Sequence, residues 1–225
     1  MWALSFISGF LILKTSDDTL LPIFQDTLFE SWLIRFDVGN EIISNISLSF
    51  IVSVIFYLLV VWLPAKRKRN LIKYNYKKQY SAFKKGMIIV FLSACNQSYN
   101  SKLLNKLNIQ SEFKRYFEEQ VSQSQNRWHV VINGLEEQHL KDILMELELF
   151  VNETDYVLNN IEFKDKKVFE FLNELKRTVY RLKNSTLEYK DVKMISQFIW
   201  QIFTGWSWSD GYPESDIIQD MINEI

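Results

Sequence analysis

Ile42–Ala65 reads IISNISLSFIVSVIFYLLVVWLPA, twenty-four consecutive residues without a charge. Its dense part, Ile46–Leu63, is interrupted only by Ser47, Ser49 and Ser53. A helix of about 18–22 residues rises about 27–33 Å, close to the hydrocarbon thickness of a bilayer. Backbone amides in hydrocarbon need internal partners, so a lone segment of this composition must be helical. The stretch is therefore expected to be a transmembrane helix, and the rest of the chain is organised around it.

Its flanks give it a direction. Lys66, Arg67, Lys68 and Arg69 follow at once, then Lys73, Lys77, Lys78, Lys84 and Lys85, with no acidic residue between Glu41 and Glu112. Residues 1–41 sum to −4, 42–111 to +11 and 112–225 to −8, so the overall net charge of −1 is uninformative. The Lys/Arg excess on the C-terminal side predicts that most of the chain is cytoplasmic, at an inner (plasma) membrane, with a short N-terminal segment outside. Tyr57 and Trp62 suit an interfacial belt at the basic end, Trp32 one at the other, and Pro64 suits an exit from the membrane. The basic stretch Lys66, Arg67, Lys68, Arg69, Lys73, Lys77 and Lys78 is expected to face anionic lipid headgroups. No nucleic-acid partner is needed to explain it. Asn45, Ser49 and Ser53 recur at i, i+4 and i+8, a small polar face that predicts self-association of the span into a homo-oligomer or a membrane complex.

Ahead of the span, Met1–Leu13 is apolar but lacks a basic leader. It is expected to be a short helix at the outer interface, a partial re-entrant helix, or a second span pairing with the first. Leu21, Phe24, Leu28, Trp32 and Phe36 predict an amphipathic helix over 19–38. Residues 1–41 thus form an extracytoplasmic or interfacial segment, 42–65 the span, 66–85 a basic juxtamembrane segment whose tyrosines sit among headgroups, and 86–225 a mainly helical cytoplasmic domain. Asn, Lys and Ile usage suits an AT-rich genome and points to a bacterial or mobile-element origin.

Residues 84–95 read KKGMIIVFLSAC. Leu92-Ser93-Ala94-Cys95 resembles the lipobox of bacterial lipoproteins, a resemblance covering twelve residues. It implies a lipid-modified N-terminal cysteine, but the signal stands internally here. The reading preferred is a buried segment from Gly86 to Ala94, with Cys95 as a small core residue. Ile88-Ile89-Val90 favour a strand there, and Trp128–Ile132 is expected to be a second strand, or part of a helix running on from Arg127. Two such strands with an intervening helix would make a small α/β unit, the alternative to an all-helical domain. Short helices are expected at Lys102–Leu107 and from Glu112. Longer ones should bury one face each: Leu140, Ile143/Leu144, Leu147 and Phe150/Val151; Val168/Phe169, Leu172, Leu175, Val179 and Leu182; and Val192, Ile195, Phe198/Ile199 and Ile202/Phe203, the last capped by Gly205. Pro213–Ile225 should form a terminal helix. The fold class is therefore mainly α, a transmembrane helix plus a helical bundle.

The inventory for chemistry is thin. One cysteine excludes an intrachain disulfide framework and a multi-cysteine metal site. Glu136-x-x-His139 has carboxylate–histidine spacing but no second copy, and no phosphate-binding glycine loop is present. No cofactor, metal or catalytic residue is implied. Trp200, Trp206, Trp208 and Tyr212 gather aromatic side chains between two helical segments and are expected to form a partner or ligand surface. The expectation is a membrane-anchored, non-enzymatic regulator, adaptor or assembly component with a helical interaction domain. The alternatives are an oligomeric membrane-disrupting or channel-like effector, and a membrane-bound enzyme or sensor acting on a lipid or nucleotide.

Overall fold

A computed structural model describes residues 2–16, 36, 38–163, 166–205 and 216–225. The described residues are mainly α-helical, and one helical run, Asn40–Ala94, is long and apolar enough to cross a membrane. The chain divides into two compact units, Met1–Lys68 and Arg69–Ile225. The amphipathic helix expected over 19–38 falls almost wholly outside the described residues.

In the first unit, α1 (Trp2–Thr15) packs against α2 (Asn40–Tyr57). Lys14, at the end of α1, lies 4.5 Å over the Phe36 ring, and Phe36 exchanges hydrogen bonds with the Asn40 side chain at the start of α2. The two helices are therefore antiparallel. The buried residues of this hairpin are Ser8 and Thr15 on α1 and Ser47 on α2, small side chains that let backbones approach. The Thr15 hydroxyl donates to the Leu11 carbonyl (2.8 Å), which removes its need for a partner across the seam. At 14 residues α1 rises about 21 Å, less than a hydrocarbon core. The outer side of α2 stays bare, with Val52, Ile55 and Phe56 each 50–64% exposed, as is Leu59 just beyond it. A π-helical turn, Leu58–Trp62, precedes α3 (Leu63–Ala94). Pro64 has no N–H for the Val60 carbonyl, and a locally widened turn is a usual accommodation of such a break.

The second unit is a helical bundle built on α3. From Ile72 onward α3 buries Ile72, Tyr76, Tyr80, Phe83, Met87, Ile88, Phe91 and Leu92. Around it lie α4 (Ser101–Leu107), α5 (Gln110–Glu118), a two-strand ribbon (Gln120–Ser122, Gln125–Asn126), α6 (Arg127–Asn133), α7 (Glu137–Asn160), α8 (Lys166–Leu182), α9 (Tyr189–Thr204) and α10 (Ile217–Glu224). The aromatic rings of α3 organise the packing. Phe83 stacks on Phe150 of α7 at 4.8 Å, and Phe91 meets Trp128 edge-on at 5.3 Å and Phe203 of α9 at 5.7 Å.

Two expectations need correction. Both strands of the α/β alternative are helices: 87–93 belongs to α3 and Trp128–Ile132 to α6. The apolar positions 76, 80, 83, 87, 91 and 94 repeat at helical spacing, and burying that stripe overrides the β preference of Ile88-Ile89-Val90. Tyr76 and Tyr80 do not sit among headgroups. They are 0% and 1% exposed, packed against Phe150. Leu92 and Ala94 are core residues of α3 and Cys95 follows that helix half-buried, as the reading of 86–94 as a buried segment expects. The long helices fall where periodicity puts them, and Gly205 caps α9 at φ 68°, a left-handed conformation that suits glycine.

Candidate functional site

The aromatic surface expected around Trp200 has one member among the described residues. Trp206, Trp208 and Tyr212 lie outside them. Trp200 sits on α9, where Lys193, Ser196, Gln197 and Trp200 recur at i, i+3, i+4 and i+7 and line one side of a groove of about 400 Å³. The other side comes from Glu118 at the end of α5, Asn126, and Trp128 and Ile132 of α6. Asn126 fixes the start of α6, its side chain accepting from the His129 N–H (2.9 Å). That cap turns Trp128 inward, with its ring centroid 5.1 Å from that of Trp200 and the planes at 43°. Phe113 backs Trp200 at 6.1 Å. The Ser196 hydroxyl donates to the Lys193 carbonyl (3.0 Å), so it is turned to its own helix. The groove offers an aromatic floor, amide groups and charges of both signs at its rim. These are the ingredients of recognition, in which aromatic anchors carry most of the affinity. Trp128 joins the groove because Arg127–Asn133 is the helical alternative of the two that the sequence leaves open there.

The basic residues separate into two sets. Lys66 lies 4.7 Å over the Trp62 ring, while Arg67, Lys68, Lys77 and Lys78 are exposed. Arg69 and Lys73 are turned onto their own unit: the Arg69 guanidinium donates to the Ile225 carbonyl and the Lys73 ammonium to the Asn223 carbonyl. Further along α3, Lys84 pairs with Asp216 at 2.8 Å and donates to the Asn108 carbonyl at 2.9 Å. The Tyr80 hydroxyl donates to the same carboxylate (2.9 Å), which also caps α10 by accepting from the Gln219 N–H (3.0 Å). Burial raises the Tyr80 phenol well above its ordinary value, and the neighbouring Asp216 charge adds to this, so it stays a donor. Burial raises Tyr76 too, against its hydrogen bond with Thr154 (2.8 Å). None of this polar cluster was read from the sequence. The available signal was Asp216, a capping residue ahead of the apolar pair Ile217-Ile218.

On α2, Asn45, Ser49 and Ser53 share an exposed face. Ser47, two residues from Ser49 and so about 200° around the helix, faces the hairpin seam instead. The Ser53 hydroxyl donates to the Ser49 carbonyl (2.8 Å). Glu136 and His139 form a capping box at the start of α7: the Glu136 N–H donates to His139 Nδ1 (3.2 Å), and His139 Nε2 lies 3.3 Å from Ser93 Oγ. The Glu136-x-x-His139 spacing is thus occupied in holding a helix start. Compared with family models, curated protein sequences and solved structures, the chain matches none of them.

Proposed function

We propose that this protein is a membrane-anchored, non-enzymatic regulator, adaptor or assembly component whose helical unit engages a protein partner on the cytoplasmic side. The observation that carries the anchor is the bare side of α2. Val52, Ile55 and Phe56, with Leu59 of the following π-helical turn, together leave a large apolar area to solvent, at about 25 cal/mol per Å². A core helix of a soluble protein would bury such residues, and contiguous patches of this kind mark membrane or partner surfaces. The Lys/Arg excess after the span supports the orientation. The Trp128–Trp200 groove supports a partner-binding role.

Alkaline extraction of membranes tests the anchor. The protein should stay with the lipid, and a Val52→Asp/Ile55→Asp variant should leave it; release of the parent chain would reject the anchor. Native mass spectrometry in detergent tests the adaptor role, with a defined oligomer or a stoichiometric partner expected. A strictly monomeric, partner-free chain would sink it. A cysteine placed at exposed Lys77 in a Cys95→Ser background should resist an impermeant maleimide in intact cells and react after lysis.

A further inference from the structure

We infer that α10 is a latch closed over the basic side of α3, and that anionic phospholipid headgroups loosen it by taking Arg69 and Lys73. This rests on the membrane reading above. Cations of α3 hold both ends of α10. At its start, the capping carboxylate of Asp216 is bound by Lys84 and Tyr80. At its end, the Asn223 and Ile225 carbonyls are bound by Lys73 and Arg69. Position 84 meets residue 216 and positions 73 and 69 meet 223 and 225, so α10 runs antiparallel along α3. Between the two ends Ile218 and Ile222 are buried.

The two ends differ in chemistry. The Asp216 end is an ion pair that is largely out of water. At the other end, Lys73 donates to the Asn223 carbonyl in a hydrogen bond open to solvent, and Arg69 to the main-chain oxygen of Ile225, both favoured by the helix dipole. A phosphodiester is a charge-assisted acceptor for guanidinium and ammonium groups, stronger for Lys73 than the Asn223 carbonyl. Arg69 and Lys73 belong to the same lysine- and arginine-rich stretch that directly follows the apolar span. The same donors cannot serve the carbonyls and a phosphate together. An anionic bilayer therefore competes with the C-terminal turn of α10, while Lys84–Asp216 remains as the hinge. Loosening α10 exposes its buried Ile218 and Ile222 and what they pack on, so lipid composition sets how often that surface is available.

The test is hydrogen exchange on the full chain in nanodiscs. One set of discs is phosphatidylcholine alone, and the other contains about one-third phosphatidylglycerol. The amides of 217–224 should exchange at least tenfold faster in the anionic discs. An Arg69→Gln/Lys73→Gln variant should exchange fast in both. Equal protection of the parent chain in the two discs would overturn the latch, as would equal acceleration by inorganic phosphate added to phosphatidylcholine discs, since the lipid surface would then not be the releasing agent. A chain that enters neither disc refutes the membrane reading itself, and that outcome is seen before any exchange is measured.

Discussion

Replacing Asp216 by asparagine removes the charge facing Lys84 while keeping an oxygen for the Gln219 N–H and the Tyr80 hydroxyl. The side chains of Lys84 and Asp216 are only 11% and 16% exposed, so the pair is mostly desolvated. Removing one partner of a fully buried pair costs about 3–5 kcal/mol, chiefly because the other charge is stranded. Here the stranded ammonium keeps the Asn108 carbonyl and a little water. The expected loss for Asp216→Asn is therefore about 2–3 kcal/mol, and the same for Lys84→Met. With both changed, no charge is left stranded, and the double variant should lose little more than either single one. The coupling should reach about 2 kcal/mol, well beyond the roughly 0.3–0.5 kcal/mol within which independent sites add. Urea unfolding of the full chain in a nonionic micelle, followed by tryptophan fluorescence, measures it. Lys77→Met, at an exposed position, serves as the control and should change stability by less than about 0.5 kcal/mol. Single losses that simply add in the double variant would refute the claim that this pair fastens α10 to α3.

Three further outcomes follow from local geometry. A Cβ at Gly134 would lie 2.3 Å from the Ala94 carbonyl oxygen, and backbone cannot step aside, so Gly134→Ala should cost about 2–4 kcal/mol in the same unfolding assay. Glu146 is half-buried on α7, and burial followed by the nearby Asp142 charge raises its carboxyl above the usual range. The folded chain then binds that proton more tightly than the unfolded chain. The penalty of the charge is present in full above the folded pKa and fades as the pH falls through it toward the unfolded value. Glu146→Gln should therefore be more stable than the parent by about 0.5 kcal/mol near neutral pH, with the difference shrinking on acidification, as thermal melts at the two pH values would show. Ser47→Leu should loosen the α1–α2 hairpin and speed proteolysis or exchange in α1, whereas Ser49→Leu, on the exposed side, should leave the hairpin intact and change only self-association measured in detergent.

Much of the helical framework was legible because burial and periodicity coincide. Leu140, Ile143, Leu147 and Phe150, or Val168, Leu172, Leu175 and Val179, can share a face only on a helix. The misreadings arose where a local preference opposed that rule. Ile88-Ile89-Val90 looked like a strand only while the window was too short to include Tyr80, Phe83 and Phe91. Juxtamembrane tyrosines resemble headgroup anchors until a distant partner is known, and the Phe150 that buries Tyr76 and Tyr80 lies some seventy residues further along. The same blindness hid the Asp216 cluster, which joins positions 132 and 136 residues apart. The Ser49–Ser53 spacing was visible, but a spacing does not say which side of α2 meets α1. Ser47, which breaks the pattern, is the residue placed in the seam.

The Trp128–Trp200 contact has a use of its own. Two indole rings with centroids 5.1 Å apart and planes inclined at 43° are close enough for their electronic transitions to couple, and not parallel, so the pair should give an exciton couplet in circular dichroism. Any occupant that slides between the rings or turns one of them should change the sign or amplitude of that signal. The groove therefore contains its own label-free optical gauge, and compounds or peptides can be screened against it without attaching a dye.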